Sequence, residues 1–122
     1  MPDDNVLSPT ILAFKREEMK ESGGVNWLIN LFLGELPNYV NQLQQAIASR
    51  DAETLFLVAH KFKGGCYNMG AVAMITLCEQ LEELGRAGDM EKAAAIVESD
   101  VEKEVGRLIN ALELEKQQDE IL

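Results

Sequence analysis

Residues 55–69 read LFLVAHKFKGGCYNM, and the phase of the apolar residues in this stretch sets the class of protein. At about 100° per residue, Leu55, Val58, Ala59, Phe62, Cys66 and Met69 fall on one stripe, the pattern of a helix that buries one face. A strand would alternate, and these residues do not. His60, the one histidine of the chain, is off that stripe. Phe56, His60, Lys63, Gly64 and Tyr67 share a second face turned away from the core. An imidazole is thereby expected in solvent, midway along a helix.

The same period extends in both directions. Upstream, Ser8 and Pro9 have the character of an N-cap and a first-turn proline. They open a short helix that carries Ile11, Leu12 and Met19 and stops at Gly23-Gly24. A second helix begins near Val25 or Asn26. Its stripe of Val25, Leu28, Ile29, Phe32, Leu36, Tyr39, Val40, Leu43 and Ile47 passes through Pro37 without losing phase, which predicts one kinked helix. The third helix follows Arg50-Asp51 and stops at Gly70. A fourth covers Ala71 to Leu84 and ends in the turn Gly85-Arg86-Ala87-Gly88, with Asp89 capping a fifth. There Ala94, Val97, Val101, Val105, Leu108 and Leu112 form a seam close to coiled-coil spacing. The terminal LELEKQQDEIL extends that helix and is expected to fray.

These elements predict an all-α fold: an antiparallel up-down four-helix bundle with an additional short N-terminal helix packed on it. The 122 residues make one domain over 1–122, with its core at roughly 9–114 and flexible ends. No internal repeat, low-complexity tract or linker interrupts it.

Composition excludes several function classes. Eleven Lys and Arg against 21 Asp and Glu give a net charge of −10, which argues against nucleic acid and anionic membrane as partners. A single histidine removes most zinc sites and every mechanism that needs two imidazoles, and no metal site is expected. Cys66 and Cys78 form no CxxC, so reduced thiols in the cytoplasm are expected. The acidic N-terminus lacks the pattern of a signal peptide, and no apolar run reaches the ~18 residues of a membrane span. The expectation is a soluble cytoplasmic protein, with the initiating Met1 favouring a complete chain.

The surroundings of His60 are not those of an ordinary solvated face. Phe56, Leu57 and Tyr67 would leave apolar surface exposed unless a partner covers it. Gly64 and Gly65 each cost a helix about 1 kcal/mol relative to alanine. Gly65 projects near the core stripe, where close helix packing accounts for it. Gly64 projects beside His60, where a close approach from outside accounts for it better. Lys61 and Lys63 are a basic cluster in an acidic chain. Positive neighbours disfavour imidazolium and leave a ring nitrogen lone pair available as a nucleophile. They also suit a group that becomes anionic once modified.

AHKFKGGCYNMGA, residues 59–71, resembles the signature of histidine-containing phosphotransfer (HPt) domains, in which an exposed helix histidine is followed by lysine at +3 and glycine at +4. LCEQLEELGRAGD, residues 77–89, is similar to that family's fourth helix and turn, and LFLGELPNYVNQLQQAI, residues 31–47, to its second helix. The resemblance spans roughly residues 25–112. It implies a phosphorelay intermediate: His60 accepts a phosphoryl group from a receiver-domain aspartate and passes it to another. It implies that Lys63, with Lys61 beside it, stabilises the phosphoryl oxygens and that Gly64 gives the receiver room. Phe56, Leu57 and Tyr67 would be the docking surface, and Lys61 and Tyr67 fall where partner choice is expected to be set. The implied partners are receiver domains of response regulators and of hybrid histidine kinases. No cofactor is expected on this chain, since Mg²⁺ and the acidic pocket belong to the receiver. A monomer is expected, its contacts small and transient. Self-phosphorylation from ATP is not expected, because no kinase or Walker-type glycine motif occurs.

The alternative is an acidic helical adaptor without phosphotransfer, using the stripe at Phe56 as its contact face. A Cys66–His60 dyad is excluded on one helix, because the two project about 120° and about 9 Å apart; Cys66 and Cys78 read as small core residues. The carboxylates Glu79, Glu82 and Glu83 read as a solvated helix face.

Overall fold

The Ser8 side chain accepts a hydrogen bond from the Ile11 N–H, and Pro9 occupies the first turn of helix α1, Pro9–Met19. A computed structural model describes residues 6–121, with side chains as far as Gln117. After Gly23 and Gly24, both at positive φ, α2 runs from Val25 to Ala48 with Pro37 inside it. The common apolar face holds this helix together across the proline. Asp51 caps α3, Ala52–Met69, through the Thr54 N–H, and Gly70 closes it at φ 67° in the left-handed region. Then follow α4, Val72–Ala87, and α5, Met90–Ile96, which Asp89 caps through the Lys92 N–H. The last rod continues through a π-helical turn, Val97–Val101, into α6, Glu102–Ile121.

Short connections fold α2, α3, α4 and the last rod into an antiparallel bundle. The last rod closes it by packing on both α2 and α4, while α1 lies against α2 and α3. Hydrogen bonds tie the start of α2 to the end of α6, from Asn26 Nδ2 to the Lys116 carbonyl at 3.3 Å, and Arg16 of α1 pairs with Glu115. The core includes all six residues of the α3 stripe, with Phe62 fully buried and stacked on Tyr39 at 4.6 Å. Both cysteines are free and buried. A hydrogen bond to Cys78, with burial, pushes the Cys66 thiol far up, so Cys66 is an inert packing group.

Three local expectations need correction. The fourth helix does not end at Leu84 but continues to Ala87, with Gly88 as its left-handed cap. Gly85 is therefore a packing glycine, since a Cβ there would lie 3.0 Å from the Ala52 carbonyl oxygen and 3.1 Å from the Phe56 nitrogen. On the last rod the buried seam is Met90, Ala93, Val97, Val101, Glu104, Leu108 and Leu112, with Ala94 and Val105 only half-buried. Positions three and four away both flank a helical stripe, and the packing of α2 and α4 chooses between them. At the N-terminus, Val6 and Leu7 are buried, so the core begins earlier than residue 9. Residues 1–5 of the expected flexible start lie outside the described residues.

Candidate functional site

α3 and α4 make the tightest pair of the bundle, joined by Gly70-Ala71 alone. Gly85 lets their backbones meet near Ala52 and Phe56, and one turn away this close approach brings Glu82 of α4 against the polar face of α3. Its carboxylate is shared. Oε2 lies 2.7 Å from His60 Nδ1, and Oε1 lies 2.7 Å from Lys63 Nζ. The Glu82 side chain is only 6% exposed, that of Lys63 18%, and that of His60 64%. Glu82 is thus a buried anion with two donors, and the expectation of a solvated Glu79–Glu82–Glu83 face is wrong at its middle member. Glu79 and Glu83 are exposed to a greater degree, as expected.

Burial pushes the Glu82 carboxyl up, but hydrogen bonds from Lys63 and His60 outweigh it and hold the group below its ordinary value. The reciprocal bond to Glu82 raises the Lys63 ammonium above its own, against partial desolvation. At neutral pH Glu82 is a carboxylate and can only accept. Nδ1 of His60 therefore carries a proton and donates it, so that in the neutral ring the lone pair is on Nε2, across an exposed ring. The charge around the imidazole is therefore not simply positive, as Lys61 and Lys63 suggested. A buried anion fixes the tautomer instead.

The other expected residues divide into two groups. Gly64 faces open space, with no atom of a neighbouring element within 4 Å of where a Cβ would project, while Leu57 and Tyr67 are exposed as large apolar side chains. Phe56 is half-buried rather than fully presented. Its ring stacks on the imidazole at 6.0 Å and 12°, and the Arg86 guanidinium lies 4.9 Å from its centroid. Phe56 is a platform for His60 before it is a docking residue. Lys61 is not brought to the His60–Lys63–Glu82 cluster. It lines a groove of about 300 Å³ between α2 and α3, with Glu35, Leu31 and Gly65.

The family model described as the Hpt domain matches residues 28–118. This chain belongs to the Hpt domain family. The crystal structure of histidine-containing phosphotransfer protein B (HptB) from Pseudomonas aeruginosa PAO1 shares the Hpt fold, with a TM-score of 0.85 and 32% identity over 92% of this chain and 95% of that one. No curated protein matches the chain. No helix among the described residues is long and apolar enough to cross a membrane, and no group of three or more potential metal ligands occurs among them.

The sequence reading missed three residues of this Hpt site: Glu82, Gly85 and Arg86. A signal for Glu82 was available in the register of the hairpin. Counting outward from Gly70-Ala71, His60 stands ten residues before the turn and Glu82 eleven after it. Antiparallel helices joined by so short a turn place such positions side by side.

Proposed function

We propose that this Hpt domain is a phosphorelay intermediate in which Nε2 of His60 takes a phosphoryl group from the aspartyl phosphate of one receiver domain and gives it to the aspartate of another. The observation that carries this reading is the shared carboxylate of Glu82, which commits the Nδ1 proton and leaves an exposed Nε2 nucleophile. Lys63, held beside the ring by the same carboxylate, supplies positive charge toward phosphoryl oxygens. Gly64 offers a surface without side-chain bulk, and Leu57 and Tyr67, with Leu31 on the neighbouring helix, offer apolar contact area. Mg²⁺ and the acidic pocket come with the receiver, so this chain positions a nucleophile and needs no cofactor of its own.

The test mixes the protein with a phosphorylated receiver domain and Mg²⁺. Phosphate is expected to move to this chain as an acid-labile, alkali-stable adduct, to be absent from His60→Gln, and to pass on to a second, unphosphorylated receiver. ATP alone should label nothing. Stable receiver binding without any phosphate movement would overturn the relay and leave an acidic adaptor.

A further inference from the structure

Lys61, Gly65 and Asn68 follow His60, Gly64 and Tyr67 by one residue each. About 100° further round α3, they turn from the open face toward α2 and form one wall of the groove of about 300 Å³. Its floor is apolar, with Phe32 and Met69 both buried. A Cβ on Gly65 would meet the Phe32 ring at 3.3 Å and the Tyr39 hydroxyl at 3.7 Å, so the floor is deep there because residue 65 has no side chain. Leu31 stands exposed on the opposite rim, on α2. The space suits one large apolar side chain delivered from outside.

The rims carry opposite charges, Glu35 from α2 and Lys61 from α3, and both are exposed. None of the ion pairs among the described residues engages either of them. The other cations of α3 and α4 are committed, Lys63 to Glu82 and Arg86 to Glu83. Lys61 is thus the cation that this helix pair holds ready for a carboxylate from outside. A second copy of this chain is a poor occupant, since it would set two net charges of −10 face to face.

Resting on the phosphotransfer reading, we propose that this groove is where the chain tells one receiver from another. A cognate receiver inserts one large apolar side chain against Phe32 and Gly65, flanked by a carboxylate that meets Lys61 and a cation that meets Glu35. A domain lying over His60 and Gly64 reaches the groove by extending one residue round the same helix. Charges on such a rim act on the encounter rate and on partner choice, because a mismatched receiver brings like charges together. The phosphoryl chemistry at Nε2 belongs to His60 and its neighbours on the α4 side. The groove therefore sets how much receiver is needed for transfer rather than the limiting rate of the bound pair.

The experiment titrates a panel of isolated receiver domains, with Mg²⁺, into the native protein and into Lys61→Glu, and follows binding by calorimetry. For the receiver that binds the native protein tightest, Lys61→Glu should weaken binding roughly ten-fold at low salt, since one attraction is lost and one repulsion gained. The difference should shrink at about 0.5 M salt, and the urea midpoint should not move, because the side chain is exposed. Changing single surface Asp or Glu residues of that receiver to Lys should yield one variant that restores its affinity for Lys61→Glu. The double exchange Glu35→Lys with Lys61→Glu should change which receiver of the panel binds tightest. Equal affinity of the native protein and Lys61→Glu for every receiver overturns the proposal, and so does a loss that no receiver variant restores. Binding reads the groove, whereas movement of phosphate reads the relay. A receiver that binds through Lys61 yet passes no phosphate would sink the relay and leave the groove as the selecting surface.

Discussion

Phe62 and His60 stand two residues apart on α3 and answer to different demands. Phe62 is fully buried against Tyr39, in a place any helix of this period would reserve for an apolar side chain. His60 is mostly exposed and gains nothing from the core, yet it is restrained by Glu82 from α4 and by the Phe56 ring. The core face is specified by one helix and filled by its neighbours. The site face presents its nucleophile through one helix but orients it through another. Stability and chemistry are thus separable on a single element.

The strongest challenge to that separation pairs two substitutions. Phe62→Ala should cost about 3–5 kcal/mol, visible as a large drop in the urea midpoint. His60→Gln should leave the midpoint within about 0.5 kcal/mol while abolishing phosphate acceptance. A large loss of stability in His60→Gln would mean that the site face is also structural. A finer contrast comes from the adjacent glycines. A Cβ on Gly65 would meet the Phe32 ring at 3.3 Å, whereas Gly64 faces open space. Gly65→Leu should destabilise by about 1–3 kcal/mol through overpacking. Gly64→Leu should keep or slightly raise stability yet slow transfer from a receiver by roughly ten-fold or more, as measured by phosphate transfer rates. Unaltered transfer in Gly64→Leu would remove the glycine from the docking face.

The smallest expected effect is in the pH dependence of stability. Glu82 is held below its ordinary value in the folded protein, so its contribution is present above the unfolded-state value and is lost as pH falls through the folded one. Lys63, held above its ordinary value, contributes fully below its unfolded-state value and loses that contribution as pH rises through the folded one. Urea unfolding at a series of acidic pH values should therefore show a shallower acid decline in Glu82→Gln than in the native protein. Equal slopes would mean that the carboxylate is not bound as tightly as its two 2.7 Å contacts imply.

Much of this architecture could be read from the chain because it is local. The caps at Ser8, Asp51 and Asp89 act within three residues, Gly70 supplies its own left-handed conformation, and the α3 stripe needs only the helical period. The exposure of His60 and the openness at Gly64 follow from the same projection. Where two helices compete for space, the projection loses its power. The identity of Gly85 as a contact rather than a turn, and the burial of Glu104 in place of Val105, depend on which neighbour sits above them.

Sequence alone determined that this is a helical bundle displaying one histidine with lysine and glycine at the offsets of an Hpt domain, because periodicity and capping are properties of single helices. Only the tertiary structure decided that Glu82 is buried, that it divides its carboxylate between His60 and Lys63, that Phe56 stacks on the imidazole, and that Lys61 lines the groove between α2 and α3. A carboxylate in a charged helical segment has the pattern of a solvated one until a second helix comes close enough to strip its water and supply two donors instead. That approach is set by the packing of α4 on α3 at Gly85, a distance that no single-helix pattern encodes.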